Sequence, residues 1–454
     1  MVDRLFGTNG VRGIVNEEMT PEFAMELGKA IGRFMGGKVA IATDTRTSGE
    51  MIKSAVSAGL MAVGVDVLDL GVAPTPALQY LVKNNTIGGG VMITASHNPP
   101  EFNGIKCVDP DGTEMHRSNE ERIESIYFSK EAGCSPWDRV GDMRPVSGAV
   151  ESYVKAVVAL VDRLAIKDSG LEVVLDCANG AASASGPMLM NALGVRAVTL
   201  NANPQGNFPG HPSEPTEDHL RDLISLVRET GAAMGIAHDG DADRTIFVDE
   251  KGNYVFGDKS LAVISRHMVR ENGGTVVTPV STSSCVEDVV KAAGGDVVYT
   301  KVGSPIVARK MMEIGAVFGG EENGGLIFPE HQYCRDGAMT AAKMLEVVAK
   351  EGDLSSLIAT VPEYHLDKRK IVCPNARKEG LLEQVAEHFS DQRVDTTDGV
   401  KIIFDDGWTL IRPSGTEPIF RIFSESRSDT SSRRRGEECE LLLKEFLAGD
   451  QSSA

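Results

Sequence analysis

No stretch of this 454-residue chain is apolar over anything near the roughly 20 residues that span a bilayer, which excludes a helical membrane protein. Its first residues, Met1-Val2-Asp3-Arg4-Leu5-Phe6-Gly7, lack the apolar segment of a secretory leader. Cysteine is sparse and scattered: the seven residues at 107, 134, 177, 285, 334, 373 and 439 contain no CxxC pair. Without an export signal they read as reduced thiols, and the expected compartment is the cytoplasm. No basic excess exists either. Lys and Arg number 46 against 65 Asp and Glu, a formal net charge of −19. That argues against general binding of nucleic acid or a membrane surface, yet allows one cleft that concentrates cations around a small anion. The chain also lacks a G-x-G-x-x-G dinucleotide fingerprint.

What is present is a globular composition, 41% hydrophobic and 24% charged, in a chain long enough for about three or four domains. Strand and helix patterns alternate. Residues 38–42 and 65–70 read as strands, residues 48–63 carry a helical stripe of Ile52, Val56, Leu60 and Val63, and Gly90-Val91-Met92-Ile93 reads as a buried strand. Residues 104–108 and 113–115 flank the turn signal Asp109-Pro110-Asp111-Gly112 and predict a hairpin. A polar stretch over 133–148 marks a first boundary. Two further alternating units follow, with a helix expected from near Thr216, and then a part that reads as small α+β from about Lys368. Three successive alternating units predict a triplicated α/β architecture of βαβαβ type with mixed sheets. The domains expected are 1–148, 149–253, 254–367 and 368–454, with a frayed tail from Gly449.

Four loops carry groups suited to a phosphorylated ligand. Thr94-Ala95-Ser96-His97-Asn98-Pro99 ends a strand, so a hydroxyl lies where open α/β sheets place ligands, although a plain strand-ending turn has the same composition. Asp239-Gly240-Asp241-Ala242-Asp243-Arg244 brings together three carboxylates if the segment is extended. Hard oxygen ligands without His or Cys suit Mg²⁺. An EF-hand calcium loop competes over residues 239–250, but Arg244 occupies the position that needs Gly, and the flanks read as strands. Gly319-Gly320-Glu321-Glu322-Asn323-Gly324-Gly325 can hydrogen-bond sugar hydroxyls or be an ordinary turn. Arg412-Pro413-Ser414-Gly415-Thr416-Glu417-Pro418, with Arg421 beyond, is a candidate phosphate cradle without the Lys and spacing of a P-loop. Arg12, in a Gly-rich segment, and Lys106 are further cations; either can be a surface ion-pair partner. His97 is read as catalytic or as a brace for the serine loop.

In this order and at these separations, the four motifs resemble the α-D-phosphohexomutase superfamily over essentially the whole chain. The resemblance implies four domains around a central cleft, three related α/β units plus a C-terminal α+β domain. By it Ser96 is the phosphoserine, and Asp239, Asp241 and Asp243 hold one Mg²⁺ together with a phosphate oxygen on Ser96. Arg12, Lys106 and His97 serve acid–base chemistry and charge stabilisation. Arg244, Lys301, Gly303, Glu321 and Asn323 meet the substrate, and Arg412, Ser414, Gly415, Thr416 and Arg421 clamp the phosphate that is not transferred. Asn323 and Gly325 stand where many relatives have Ser and His, and Ser304 where relatives often have His or Asp.

The expected reaction interconverts hexose 1-phosphate and 6-phosphate through a 1,6-bisphosphate. The start Gly7-Thr8-Asn9-Gly10-Val11-Arg12-Gly13 points to a phosphoglucosamine mutase, with a dual phosphoglucomutase/phosphomannomutase as the alternative. A Mg²⁺-dependent sugar phosphatase and a non-catalytic sugar-phosphate- or Ca²⁺-binding protein are the remoter readings. The expected partner is a small sugar phosphate, with neither nucleic acid nor membrane; a homodimer is allowed.

Overall fold

A computed structural model describes residues 4–7, 9–415 and 417–449. Four β-sheets follow one another along the chain. In the first, the order is Val11–Ile14, Phe102–Val108, Gly89–Ile93, Lys38–Thr43, Asp66–Val72 and Met143–Pro145. Its last four strands are parallel and its first three are joined antiparallel. Gly89–Ile93 is buried along its whole length, as a strand covered on both faces should be. On one face, the helices Pro21–Met35 and Gly49–Ala62 pack backbone to backbone: a Cβ at Gly59 would sit 2.2 Å from the Met25 carbonyl oxygen.

The second and third sheets repeat one plan. Thr245–Asp249, Met234–His238, Glu172–Asp176 and Arg196–Leu200 lie in the same order as Phe102–Val108, Gly89–Ile93, Lys38–Thr43 and Asp66–Val72. Leu326–Phe328, Phe318–Gly320, Thr275–Pro279 and Asp296–Thr300 do so again. In each unit the first strand of the four runs antiparallel and the other three are parallel. The serine loop, the three-carboxylate loop and the Glu321 loop therefore occupy one topological position three times: each joins the last parallel strand to its antiparallel neighbour. The fourth sheet, His365–Val372, Ile419–Ser426, Gly407–Pro413, Val400–Phe404 and Val394–Asp395, is wholly antiparallel. It is backed by the helices Lys378–His388 and Asp429–Gly449. The tail beyond Gly449 lies outside the described residues.

Several local expectations need correction. Residues 113–115 form no strand; one isolated bridge, Val108 to Glu114, closes the Asp109–Gly112 turn. The strand Phe102–Val108 instead pairs back across the serine loop. The boundary stretch over 133–148 also carries Met143–Pro145, a parallel edge strand of the first sheet. The helix expected from Thr216 begins at Arg221, after a turn. Helix Gly337–Glu351 is buried nearly all round, Lys343 and Glu346 included.

One large apolar cluster runs through the first three units, from Ala40 to Val361. The fourth unit has its own core. It meets the third through a small cluster of Val280, Trp408 and Leu410, with Tyr299 and Phe423 against it. Lys401 crosses this junction. Its ammonium donates to the Val280 carbonyl at 2.7 Å and lies 4.3 Å from the Trp408 ring centre and 4.9 Å from that of Tyr299. Burial, only partly opposed by Glu425, lowers its pKa to about 8. Between pH 8 and about 10.4 the unfolded chain therefore holds more of this proton than the native one, so the Lys401 contribution to stability rises with pH there. Urea unfolding at pH 7 to 10.5 should show wild type gaining stability relative to Lys401→Met above pH 8 and running parallel to it below.

Candidate active site

The serine loop starts at the carboxyl end of Gly89–Ile93. Ser96 is fully buried with φ 53°, the left-handed region that L-residues avoid, so the surroundings must hold it. Arg46 does most of this. Its Nη2 donates to the carbonyls of Ser96 (2.9 Å) and Asn98 (2.6 Å), and its Nη1 to those of Pro99 (2.6 Å) and Phe102 (2.8 Å). Asp44 orients the guanidinium through Nε at 3.1 Å and accepts the Thr94 hydroxyl at 2.6 Å. Thr94 Oγ1 in turn accepts the Ser96 amide at 2.8 Å.

The three-carboxylate loop is a turn rather than an extended segment. Ala242 has φ 58°, and convergence comes from that reversal, not from alternation along a strand. Oxygens of Asp239, Asp241 and Asp243 lie within 4.8 Å of one another, all buried. Its flanks, Met234–His238 and Thr245–Asp249, are paired antiparallel strands, which disposes of the EF-hand reading. The turn presses on the serine loop: a Cβ at Gly240 would lie 2.5 Å from the Ser96 carbonyl oxygen. Across this contact Ser96 Oγ donates to Asp239 Oδ2 at 2.9 Å.

Three buried carboxylates at this spacing repel. Burial, reinforced by Asp243 and Asp241, pushes the Asp239 pKa well above the ordinary carboxylate range. Burial would raise Asp241 too, but Lys106 Nζ and the Thr75 hydroxyl, each 2.6 Å from Oδ2, hold it low. Arg335 Nη2 donates to Asp243 Oδ2 at 2.7 Å. Among the described residues, Oδ1 of Asp241 and Oδ1 of Asp243 are buried and accept no hydrogen bond, so the donor set has oxygens to spare for a hard cation such as Mg²⁺. A second set of close donors, His267, Glu271 and Glu346, is different: Lys343 and Lys350 lie 3.0 and 2.8 Å from Glu346, making an ion-pair network between helices.

Cations surround the serine. Arg12 Nη1 donates to Asn98 Oδ1 at 2.6 Å, and burial lowers the Arg12 pKa. Arg244 Nε lies 3.9 Å from Asp239 and 3.8 Å from Asp243. His97 Nδ1 is 3.4 Å from Ser96 Oγ. Burial, then Arg244 and Arg12, lowers the His97 pKa to about 3, so its imidazole is neutral at physiological pH and resists taking up a proton.

Glu321 is buried and raised in pKa by that burial, and its Oε1 accepts the Gly303 amide at 3.1 Å. This brings Gly303 beside the Glu321 loop, while Lys301 is exposed. Asn323 is half-buried and accepts the Gly325 amide at 3.0 Å. Together with Arg244 it faces a cavity of about 1270 Å³ whose other walls include Lys368 and Glu425 of the fourth unit. In that unit Arg412 and Arg421 stand directly opposite on neighbouring strands, and Lys370 is opposite Arg421 on the other side. Lys378 Nζ donates to the Ser414 carbonyl at 2.6 Å, Ser414 Oγ accepts the Glu417 amide at 3.2 Å, and Gly415 is open around its Cα. Arg421 pairs with Glu417 at 2.8 Å. Thr416 lies outside the described residues.

Sequence reasoning missed Asp44, Arg46, Thr75, Glu114 and Arg335. Asp44 and Arg46 had a signal, since they follow directly on a buried strand at its carboxyl end. Thr75, Glu114 and Arg335 had none, because their partners lie 92 to 221 residues away.

A serine hydroxyl thus stands against three carboxylates within a ring of cations. Models of the phosphoglucomutase/phosphomannomutase family match the chain in four parts: domain I over residues 3–133, domain II over 151–252, domain III over 256–364 and the C-terminal domain over 370–439. A phosphoglucomutase/phosphomannomutase of Thermococcus kodakarensis is 45% identical, covering 98% of this chain and 100% of its own. A probable phosphoglucosamine mutase of Methanopyrus kandleri is 41% identical over 96% of each. The crystal structure of a phosphoglucomutase/phosphomannomutase family protein from Burkholderia thailandensis superposes with a TM-score of 0.88 at 27% identity, covering 98% of both chains. The chain belongs to the phosphoglucomutase/phosphomannomutase family, within the α-D-phosphohexomutases, and is an enzyme of the isomerase class.

Arg46→Lys keeps the charge but loses the fork that spans four carbonyls. Steady-state assays with a hexose 1-phosphate should show kcat/KM lower by about 100-fold, the scale of an ångström-sized displacement of a reacting group. The circular dichroism spectrum should match wild type.

Proposed function

We propose that this chain interconverts hexose 1-phosphates and 6-phosphates by carrying the migrating phosphoryl group on Ser96. The observation that carries the reading is the 2.9 Å contact between Ser96 Oγ and a buried carboxylate cluster with two unpartnered oxygens. In the first half-reaction the Ser96 Oγ–P bond breaks as the phosphoryl passes to the free hydroxyl of a hexose monophosphate; the hydroxyl gives up its proton, Ser96 Oγ takes one up, and a 1,6-bisphosphate forms. The bisphosphate turns over in the cleft, and its other phosphoryl returns to Ser96 Oγ, leaving the isomeric monophosphate.

Asp239, Asp241 and Asp243 would hold Mg²⁺, which supplies charge neutralisation at the phosphoryl oxygens. Lys106, Arg12 and Arg244 add fixed positive charge beside the same atoms, and neutral His97 braces the serine loop within reach of Oγ. Lys301, Gly303, Glu321 and Asn323 would meet the sugar. Arg412, Ser414, Gly415, Thr416 and Arg421 would grip the phosphate at its far end. The four expected domains, 1–148, 149–253, 254–367 and 368–454, supply one such loop each. The compartment proposed is the cytoplasm, supported by seven unpaired cysteines.

The substrate proposed is glucosamine 6-phosphate, giving glucosamine 1-phosphate, a reading supported by relatives such as that of M. kandleri. Dual action on glucose and mannose phosphates is the second reading, favoured by the name and 45% identity of the T. kodakarensis relative. Rates measured side by side on the three sugars decide between them. A clear preference for glucosamine phosphate is expected; comparable rates on all three would sink the narrow assignment. Ser96→Ala should lower kcat by more than about 10⁴-fold while sugar-phosphate binding, followed by calorimetry, persists. Chelation should abolish turnover and Mg²⁺ restore it. Stoichiometric release of inorganic phosphate in place of isomerisation would turn the reading into a phosphatase.

A further inference from the structure

Between the phosphate-gripping unit and the rest of the cleft stands a carboxylate without an assigned role. Asp398 lies in the turn between Val394–Asp395 and Val400–Phe404. The turn is pressed against the Arg412 strand. The next residue, Gly399, has φ 93°, and a Cβ there would meet the Ile411 carbonyl oxygen at 2.4 Å and Arg412 Cβ at 2.8 Å. This seats Asp398 Oδ2 3.1 Å from Arg412 Nε, in an ion pair whose side chains are 18% and 15% exposed. The same oxygen accepts the amide of Val302 at 3.0 Å, across the boundary between the third and fourth units.

Val302 belongs to a loop held by three carboxylates from three places. Its own amide goes to Asp398, the Gly303 amide goes to Glu321 at 3.1 Å, and Ser304 Oγ donates to Glu114 of the first unit at 2.6 Å. Gly303 has φ 135°, a backbone conformation that side-chain-bearing residues rarely adopt, so the loop's shape depends on these outside partners. One carboxylate oxygen thus touches both the arginine offered to a phosphate and the loop offered to the sugar.

We propose that Asp398 is a positioning residue that couples occupancy of the Arg412 phosphate site to the conformation of the 301–304 loop. The inference rests on the mutase reading for what the two sites bind. Asp398 draws the Nε edge of the Arg412 guanidinium by charge, Nε itself making no hydrogen bond among the described residues, and the terminal nitrogens are the edge offered to phosphate. Through Val302 it fixes the loop that lies against Glu321. A phosphate at Arg412 then stabilises one geometry of both, so gripping one end of the hexose shapes the contacts at the other. An enzyme that must accept its intermediate in two orientations needs such a link.

Asp398→Asn keeps size and an acceptor for Val302 but loses the charge that holds Arg412, whereas Asp398→Ala loses both. Three measurements are made on the full chain: KM and kcat for a hexose 1-phosphate, the Kd of glucose 1,6-bisphosphate by calorimetry, and hydrogen exchange of residues 300–306 with and without that bisphosphate. Both variants are expected to raise KM and Kd about tenfold, the value of a charge-assisted contact, with a smaller change in kcat for Asn. Wild type should gain exchange protection over 300–306 when the bisphosphate binds, and Asp398→Ala should lose that gain. If the Ala variant does not fold, the isosteric Asn variant decides by KM and by its ligand-induced protection. Unchanged KM, or equal protection in wild type and variants, overturns the coupling, as does a wild type whose loop ignores the ligand. A wild type that binds the bisphosphate and protects 300–306 without isomerising hexose phosphates would sink the mutase reading and leave the coupling standing.

Discussion

Electrostatic repulsion among three buried carboxylates is the constraint on which this site turns. Asp239, Asp241 and Asp243 cannot all be ionised and buried within 4.8 Å of each other unless positive charge comes to them. The chain brings Lys106 from the first unit and Arg335 from the third. Two oxygens still lack partners, and the Ser96 hydroxyl donates to a third. The unsatisfied charge draws together groups from three units, and it concentrates cations in a chain whose net charge is −19. An acidic protein can thus hold an anionic substrate, because the local field near Ser96 is set by Arg12, Lys106, Arg244 and Arg335 rather than by the sum.

Repetition of one sheet order explains how loops so far apart in sequence come to face one another. Each α/β unit ends its parallel strands in a loop that returns as an antiparallel strand, and that loop carries the Ser96, three-carboxylate or Glu321 motif. The fixed geometry of the ladder places Ser96, the carboxylate turn and Glu321 at the same point of three similar scaffolds. A core continuous through these units keeps their relation rigid. The fourth unit is joined differently, by its own core, a small apolar contact, Lys401 and Asp398.

Much of this was readable in residue order, and the failures have physical causes. Buried strands such as Gly89–Ile93 announced themselves through short apolar runs, and the loops after them through Ser, Asp, Gly and Arg at strand ends. The carboxylate turn was found for a wrong geometric reason: an αL residue at Ala242 does the folding back. The chain does return at 109–112 against Cys107–Asp109, but the pairing stops at one bridge, because a turn signal fixes a reversal of the chain and not the length of the ladder after it. Arg46, which holds the serine loop, stood just past the carboxyl end of a buried strand, but the four carbonyls it gathers lie 50 to 56 residues further on.

By itself the sequence determined the alternation of elements, the identity of the four loops and the chemistry each could offer, since these depend on local periodicity and on the side chains present. Only the tertiary structure decided which of them meet. Ser96 finds Asp239 143 residues away, Lys106 finds Asp241 at 135, and Val302 finds Asp398 at 96. The reason is that hydrogen bonds and ion pairs act over a few ångströms, while nothing in a local pattern encodes the position of a partner on another sheet. The packed sheets, by burying these groups beyond the reach of water, turn ordinary polar residues into a charged site with directions and distances.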